Sequence, residues 1–311
     1  MILRADDETI ARAANELRAG GLVILPTETV YGLGADATNA EAVARIFAAK
    51  GRPQFNPLIA HVRGLAEAQR EARLHPKAQA LAEKYWPGPL TIVAPRADTS
   101  TVAELACAGL STIALRAPAH PIARALLDAF EKPIAAPSAN ISGRVSPTSA
   151  KHADAELGQH VAFVLDGGPS AVGLESTIVA IGDNGSATLL RPGAITRAEI
   201  EAMTGPLANA AHGEVQAPGM LESHYAPNAR LRLGAAAPER DEAFLAFGPD
   251  APPFALNLSP QGDLTEAAAH LYAYLRALDS TGVSVIAVAA IPAIGLGEAI
   301  NDRLTRAAAP R

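Results

Sequence analysis

The stretch Pro26-Thr-Glu-Thr-Val-Tyr-Gly-Leu-Gly34, followed by Lys50-Gly-Arg-Pro53 and Asn56-Pro-Leu-Ile-Ala-His61, is the most informative part of the sequence. Apolar residues predict a strand before it, a helix within it and a strand at its end. Short hydroxyl side chains, two cations and two tight glycine turns are expected at one end of the first strand and the far end of the helix. Such a grouping forms a cradle for a small anion. The stretch therefore predicts an α/β fold with a substrate site at one edge of its sheet.

Apolar runs predict further helices and strands along the first two thirds of the chain. Asp6 or Asp7 and Asn39 are suited to cap two of the helices. Strands are expected at residues 22–25, 58–62, 90–94, 112–116, 133–136, 161–165, 176–181 and 187–190. The alternation of helix and strand is irregular, and the runs near Ile178 and Leu189 indicate a hairpin. The sheet is therefore expected to be mixed rather than purely parallel.

The length of 311 residues predicts one large domain and a smaller one. Residues 205–229 are rich in Pro, Gly, Ala and Asn, which is typical of a linker. Because this segment holds Pro218-Gly-Met220 and His224-Tyr-Ala-Pro227, we expect it to be ordered and to lie over a pocket. The domains are accordingly placed at 1–204 and 230–311, and the second is expected to be a small Rossmann-like α/β unit.

Charge and composition exclude several classes of protein. The formal net charge is −6, whereas a nucleic-acid coat protein needs a basic excess, so direct binding to tRNA is expected to be weak or absent. No run of about eighteen apolar residues occurs, and Met1 is followed by charged residues rather than an apolar leader. The single cysteine, Cys107, fits a reducing compartment. These features predict a cytoplasmic protein with no membrane partner.

Gly32-Leu-Gly34-Ala-Asp-Ala37 matches the loose dinucleotide-binding fingerprint. That fingerprint needs a strand, a turn and a helix in immediate succession, but here six residues follow the strand and the helix begins only near Asn39. The sequence also contains no phosphate-binding Gly-x-x-x-x-Gly-Lys loop, no His-Glu-x-x-His and no Gly-x-Ser-x-Gly elbow. The P-loop, zinc-protease and hydrolase classes are therefore excluded.

Short polar clusters follow or end most of the predicted strands, where ligands bind in open α/β sheets. They are Thr27 and Thr29; Lys50, Arg52 and Asn56; His61; Thr112 and Arg116; Ser138 and Asn140; Ser146; Ser176 and Thr177; and Arg191. Any one cluster taken alone is readily explained as a turn or a helix cap. His61 or Tyr31 taken alone is likewise readily explained as a structural residue. Eight clusters in one domain favour a ligand site.

Four carboxylates, on Glu28, Asp36, Asp166 and Glu175, lie near glycines and are candidates for ligands of metal-bound water. Carboxylates in such places are commonly caps, and their spacing matches no metal cage. Any Mg²⁺ is therefore expected to be carried mainly on substrate phosphates.

The chain resembles the YrdC/Sua5 family of L-threonylcarbamoyladenylate synthases, in its long two-domain Sua5 form. The resemblance is carried by residues 26–34 and 50–58, Trp86-Pro-Gly-Pro-Leu-Thr91, Ala114-Leu-Arg116, Ala136-Pro-Ser-Ala-Asn-Ile-Ser-Gly143, Glu175-Ser-Thr-Ile178, Arg191-Pro-Gly193 and the two linker motifs. It implies a YrdC-like twisted mixed sheet with flanking helices and a smaller Rossmann-like C-terminal domain. The implied reaction converts L-threonine, bicarbonate and ATP to threonylcarbamoyl-AMP and pyrophosphate, which feeds the tRNA threonylcarbamoyl transferase machinery.

The resemblance also implies roles for individual residues. Lys50 and Arg52 would be catalytic, offsetting charge on the phosphoryl oxygens with the help of Mg²⁺. The residues that would hold threonine or its carbamate are Thr29, His61, Arg116, Ser138 and Ser176. The residues that would surround ATP are Lys50, Arg52, Asn56, Thr112, Asn140, Ser146, Arg191 and Tyr225.

Two alternatives remain open from the sequence. One is an RNA- or tRNA-binding module without this catalysis, which the acidic charge and the lack of a continuous Lys/Arg stripe count against. The other is a carbamoyl-adenylate reaction like that of hydrogenase-maturation carbamoyltransferases. The chain lacks the cysteine-rich and acylphosphatase-like segments that accompany the related domain in those proteins.

Overall fold

A computed structural model describes residues 1–210 and 215–310 of the chain. The helices are α1 (Asp7–Arg18), α2 (Ala40–Lys50), α3 (Leu65–Glu71), α4 (Pro76–Tyr85), α5 (Pro121–Phe130), α6 (Ala150–Leu157), α7 (Arg197–Thr204), α8 (Leu264–Asp279) and α9 (Leu296–Ala308). The strands are β1 (Ile2–Arg4), β2 (Val23–Leu25), β3 (Gly32–Asp36), β4 (Ile59–His61), β5 (Leu90–Pro95), β6 (Thr112–Arg116), β7 (Ile134–Ala135), β8 (Val164–Asp166), β9 (Thr177–Ile181), β10 (Ala187–Arg191), β11 (Ala208–Asn209), β12 (Arg230–Leu233), β13 (Ala243–Ala246), β14 (Leu256–Asn257) and β15 (Val285–Val288).

The first sheet has eleven strands in the order β1-β8-β2-β3-β7-β4-β6-β5-β9-β10-β11. It is mixed, as predicted: β4 and β6 are parallel, whereas β9 and β10 form the expected antiparallel hairpin with Leu189 opposite Val179. In the parallel pair His61 lies in register with Arg116. Two polar side chains that each end a central strand are thereby brought side by side.

Strand β3 corrects one expectation, because Gly32-Leu-Gly34 is part of a strand and not a glycine turn. A Cβ atom on Gly34 would lie 2.8 Å from Cδ2 of Leu25 on the paired strand β2. Glycine is therefore needed here for close packing between the strands rather than for a left-handed backbone. The second expected turn is present, since Gly51 has a φ of +58° and ends α2.

Local sequence signals account for the helix ends. Asp6 and Thr9 form a capping box at the start of α1, and the side chain of Asn39 accepts hydrogen bonds from the first amides of α2. The inward face of α2 buries Val43, Ile46 and Phe47 in the main core under the sheet. This packing fixes the C-terminal end of α2, from which residues 50–57 approach the edge of the sheet.

The second sheet has four parallel strands in the order β12-β15-β13-β14, and α8 and α9 bury their apolar faces in its core. This is the predicted Rossmann-like unit. Within residues 1–210 and 215–310, no helix has both the length and the hydropathy needed to cross a membrane.

The segment 205–229, predicted as an ordered linker, includes residues 211–214, which lie outside the described residues. Its first part adds β11 to the first sheet beside β10. Its last part packs between the two units, where the backbone amide of Ala226 donates to the carbonyl of Gly143 at 2.8 Å. The ring of Tyr225 is fully buried and lies 5.8 Å, centroid to centroid, from the ring of Tyr272 on α8.

Candidate active site

A cavity of about 470 Å³, including its mouth, lies where the ends of the central strands of the first sheet meet the linker. Its lining residues are Thr29, Val30, Arg52, Ile59, His61, Arg116, Ala136, Pro137, Ser138, Glu175, Ser176, Arg191, Pro218, Gly219, His224 and Tyr225. The wall combines the first sheet with the segment that leads into the second domain.

Arg116 at the end of β6 is held by three hydrogen bonds. Its Nε donates to the carbonyl of Gly88 at 3.2 Å, its Nη1 to the hydroxyl of Thr29 at 2.9 Å and its Nη2 to the carboxylate of Glu28 at 2.6 Å. Burial alone would raise the pKa of Glu28, but the charge of Arg116 outweighs burial and holds that pKa below its ordinary value. Glu28 is therefore an anchor for Arg116.

His61 ends β4 beside Arg116 and is almost completely buried. Burial, reinforced by the charge of Arg116, lowers the pKa of His61 to about 3, so the imidazole is neutral near pH 7. Its Nδ1 has no hydrogen-bond partner within the described part of the chain. A neutral ring with an unpaired nitrogen at a cavity wall is suited to bind a polar ligand group.

Arg52 and Arg191 supply the other cations of the wall. Arg52 donates to the carbonyls of Asn56 and Pro57 and to the side chain of Asn56, and Arg191 donates to the carbonyls of Ser176 and Pro218 and to the hydroxyl of Ser176. No described carboxylate lies within ion-pair distance of either arginine. Burial lowers the pKa of both guanidinium groups, as expected for buried cations that lack a counter-ion.

Lys50 does not line the cavity. Its side chain is buried, and its ammonium donates to the carbonyl of Ser138 at 2.6 Å and to the carbonyl of Asn140. Burial, followed by the nearby charge of Arg52, lowers its pKa well below the ordinary value. In this arrangement Lys50 orients the loop after β7, whose Ser138 faces the cavity.

Eight of the thirteen candidate residues from the sequence line the cavity: Thr29, Arg52, His61, Arg116, Ser138, Ser176, Arg191 and Tyr225. Asn56 and Asn140 lie behind the wall, where they contact Arg52 and the 141–144 loop. Ser146 is also behind the wall and donates to Glu175. Thr112 is the first residue of β6, at the strand end opposite Arg116, and does not line the cavity.

Glu175 joins the cavity to the second domain, through contacts that sequence reasoning missed. Its Oε2 accepts hydrogen bonds from the hydroxyl of Tyr272 at 2.8 Å and from Nε of Arg303 at 2.9 Å. Burial would raise its pKa, but Arg303 and then Arg191 outweigh burial and lower it to about 2. One signal was present in the sequence, since Arg303 falls on the apolar stripe of α9 with Ile300, Leu304 and Ala307.

The described residues do not form a metal cage. They contain no group of three or more His, Cys, Asp or Glu side chains that is placed to hold a metal ion. The cavity carboxylate of Glu175 is occupied by Arg303, and Glu28 is occupied by Arg116. Neither of these carboxylates is therefore free of an arginine partner.

A cavity lined by three buried arginines, two at strand ends and one just after α2, and closed by the linker to a second α/β domain defines a two-domain protein with a site for an anionic small molecule at its domain junction. Residues 15–193 match the family model described as telomere recombination, and residues 195–309 match the threonylcarbamoyl-AMP synthase C-terminal domain. The chain belongs to the Sua5 family of threonylcarbamoyl-AMP synthases, which are nucleotidyl-transferring enzymes.

Individual relatives agree with this membership. Threonylcarbamoyl-AMP synthase of Bacillus subtilis is 38% identical, over 99% of this chain and 95% of its own length. The crystal structure of Pyrococcus abyssi Sua5 complexed with L-threonine is 36% identical and superimposes with a TM-score of 0.91, over 99% of this chain and 97% of that one. A putative threonylcarbamoyl-AMP synthase of Mycobacterium tuberculosis is 39% identical over 63% of this chain and 89% of its own length.

Proposed function

We propose that this enzyme converts L-threonine, bicarbonate and ATP to threonylcarbamoyl-AMP and pyrophosphate, with both substrates bound in the cavity at the domain junction. The observation that carries the proposal is the presence in one cavity of an anchored Arg116 and of two arginines, Arg52 and Arg191, that pair with no described carboxylate. Family membership and the threonine complex of the Pyrococcus abyssi relative support the choice of substrates.

Arg116 binds the carboxylate of threonine in this proposal. A guanidinium has five N–H donors, and three of them are used by Gly88, Thr29 and Glu28. The remaining two N–H groups are available for a planar anion, and a charge-assisted pair of this kind is strong. Thr29, His61, Ser138 and Ser176 then surround the hydroxyl and the carbamate of the substrate.

Arg52 and Arg191 bind the phosphates of ATP, and Asn56 holds Arg52 in place. The amine of threonine first attacks the carbon of bicarbonate, a C–O bond breaks and water leaves, which gives the carbamate. Its oxygen attacks the α-phosphorus, the bond from that phosphorus to the bridging oxygen breaks, and pyrophosphate leaves with the electron pair. The protein contributes position and fixed positive charge rather than a covalent nucleophile.

The remaining candidates stay proposals around this step. Lys50 supports the phosphate end through the 138–140 loop. Asn140, Ser146 and Thr112 keep the assignment to ATP that the family resemblance implies, although none of the three lines the cavity. Mg²⁺ is proposed to arrive on the ATP phosphates, where it would neutralise part of their charge. We further propose a cytoplasmic location and transfer of the product to the tRNA threonylcarbamoyl transferase machinery.

His224 and Tyr225 exclude water from the reaction. The carbamate and the mixed anhydride are both labile in water, so the reaction needs a covered site. Both side chains are buried and line the cavity, and their rings contact each other edge to face at 4.1 Å between centroids. Since the substrates must enter past them, we propose that this pair opens and closes in each cycle.

Pyrophosphate release tests the proposed function. It is measured with ATP and Mg²⁺ while threonine and bicarbonate are omitted in turn and L-serine replaces threonine. Release that requires both threonine and bicarbonate is the expected result. Release that is indifferent to threonine, or no release, would contradict the proposal and favour the RNA-binding alternative, which salt-dependent tRNA binding without ATP turnover would support.

A further inference from the structure

Arg303 reaches from α9 of the second domain into the first domain. Its Nε lies 2.9 Å from Oε2 of Glu175, and its Nη2 donates to the carbonyl of Pro192 at 3.0 Å. The two side chains of the ion pair are 1% and 7% exposed. The pair is therefore removed from water, and loss of Arg303 leaves the buried carboxylate of Glu175 without its ion-pair partner. Arg303 itself has a second partner, since its Nη1 lies 2.6 Å from Oδ2 of Asp302.

The position of Glu175 makes this pairing matter for the ligand. Glu175 lines the same cavity as Arg52 and Arg191, where the phosphates are proposed to bind. An uncompensated carboxylate in a water-poor cavity repels phosphate strongly. The other hydrogen-bond donors to Glu175 are the neutral hydroxyls of Ser146 and Tyr272. Arg191 adds a more distant positive charge, but among the described residues only Arg303 lies within ion-pair distance of the carboxylate.

The same guanidinium also contacts the linker. The Cζ atom of Arg303 lies 5.1 Å from the centroid of the Tyr225 ring, which in turn stacks on Tyr272. A cation over an aromatic face attracts it, and more strongly when water is excluded. Arg303 thus touches both the acidic part of the cavity wall and the aromatic side chain that covers the cavity.

We infer that Arg303 is a positioning residue of the synthase site: it neutralises Glu175 and seats Tyr225, so ATP binds productively only when the second domain is docked. This inference rests on the proposed function for the identity of the ligand. It gives the second domain a direct part in ATP binding. It also distinguishes this ion pair from Arg197–Glu298, which joins the same two domains but has side chains that are 31% and 33% exposed.

The test is a double-mutant cycle on ATP binding, made of Arg303→Met, Glu175→Gln and the variant that combines them. Arg303→Met is expected to raise the KM for ATP roughly ten- to a hundredfold, because Glu175 is left as an unpaired buried charge. Glu175→Gln combined with Arg303→Met is expected to recover about tenfold of this loss, since it removes the repelling carboxylate. Arg197→Met is the matched control, because a partly solvated ion pair away from the cavity contributes much less than a buried one, and is expected to stay within about twofold of wild type.

The rescue separates positioning from packing. If Arg303 only packs the domains together, the double variant is at least as impaired as Arg303→Met, and that result would overturn the inference, as would an unchanged KM for ATP. Circular dichroism establishes that the variants fold. If Arg303→Met does not fold, Arg303→Gln, which removes the charge but keeps an amide donor, is measured in its place with and without Glu175→Gln, with the same criterion of rescue.

Equilibrium binding of ATP keeps this inference separate from the proposed function. Loss of ATP affinity in Arg303→Met and its rescue by Glu175→Gln are read without any turnover. If the wild-type enzyme binds ATP but releases no pyrophosphate with threonine and bicarbonate, the proposed function is contradicted. The inference about Arg303 is then still tested by the ATP affinities of the variants in the double-mutant cycle.

Discussion

The Nη2 atom of Arg116 lies 2.6 Å from the Oε1 atom of Glu28, in an ion pair whose side chains are 4% and 13% exposed. The other oxygen of Glu28 accepts hydrogen bonds from the backbone amides of Ala119 and His120, so the carboxylate is itself held in one orientation. This arrangement holds the plane of the guanidinium before any substrate binds. Preorganisation of this kind reduces the entropy lost when a ligand carboxylate is bound.

Substitution of Arg116→Lys is therefore expected to weaken threonine binding selectively. A lysine has no planar fork and cannot serve Gly88, Thr29, Glu28 and a ligand carboxylate together. We expect the KM for L-threonine to rise about ten- to a hundredfold, and the KM for ATP to change much less. Steady-state kinetics with each substrate varied in turn measure this split. Arg73→Lys, at an exposed position with a surface ion pair, is the control; equal effects on both KM values would refute the assignment.

Arg52→Ala is expected to lower the rate of pyrophosphate release about ten- to a hundredfold. A hydrogen bond to a charged group contributes about 1.5 to 3 kcal/mol, and Arg52 has its backbone and Asn56 partners but no described counter-ion. Turnover is measured at saturating substrates. Arg45→Ala on α2, where Arg45 contacts the carbonyl of Gly20 away from the cavity, is the comparison. Wild-type turnover in Arg52→Ala would remove this residue from the mechanism.

Gly219→Ala is expected to displace the aromatic cover of the cavity. Gly219 has a φ of +85°, and a Cβ atom there would lie 2.5 Å from the hydroxyl oxygen of Tyr225 and 3.0 Å from Cδ of Arg191. We expect kcat/KM for ATP to fall about tenfold or more, because small displacements of positioning groups are costly. Gly205→Ala is a close control, since its φ is +79° but nothing lies within 4 Å of the added atom. If Gly219→Ala and Gly205→Ala lower kcat/KM equally, the loss comes from backbone strain and not from the contact of the added Cβ atom with Tyr225 and Arg191.

The free energy of unfolding is expected to fall as the pH is lowered from about 6.5 toward 4. Burial lowers the pKa values of His61 and His224 to about 3 in the folded protein, from an ordinary value of 6.5. Above pH 6.5 both states carry neutral imidazoles, whereas below it the unfolded chain binds protons that the folded chain does not. Each such histidine therefore contributes a loss of up to about 1.4 kcal/mol per pH unit.

Urea unfolding between pH 7 and pH 4.5 measures this dependence. His61→Asn is expected to make the pH dependence shallower, and His160→Asn, at an exposed position, is expected to leave it unchanged. A slope that is identical in wild type and His61→Asn would show that His61 is not the group responsible.

The sequence predicted those parts of the fold that local patterns determine. Strand β6 was placed at its observed residues, the caps at Asp6 and Asn39 are present, and the hairpin near Ile178 and Leu189 is confirmed. In each case the signal lies within a few residues, either in a capping side chain or in a short apolar run. Strand β3 was missed because glycine is rare in strands, and only the tertiary approach of Leu25 to Gly34 explains it.

The site was predictable as a group of strand-end residues but not as a network of contacts. His61 and Arg116 could be placed near each other because both end strands of one sheet. To predict that Thr112 lies at the end of β6 away from Arg116, one would need to know the direction of that strand relative to the cavity, which the sequence does not give. The pairing of Glu175 with Arg303 joins residues more than a hundred positions apart, and no local periodicity encodes which buried arginine meets which carboxylate.

The placement of Arg303 also determines the order in which the protein becomes competent during folding. Thr29 and Arg303 lie near opposite ends of the printed sequence, yet both belong to the walls and supports of one cavity. Contacts between such distant segments form slowly, because the chain between them must be ordered first. In a refolding experiment the far-UV signal of the two sheets should therefore return before the capacity to bind ATP.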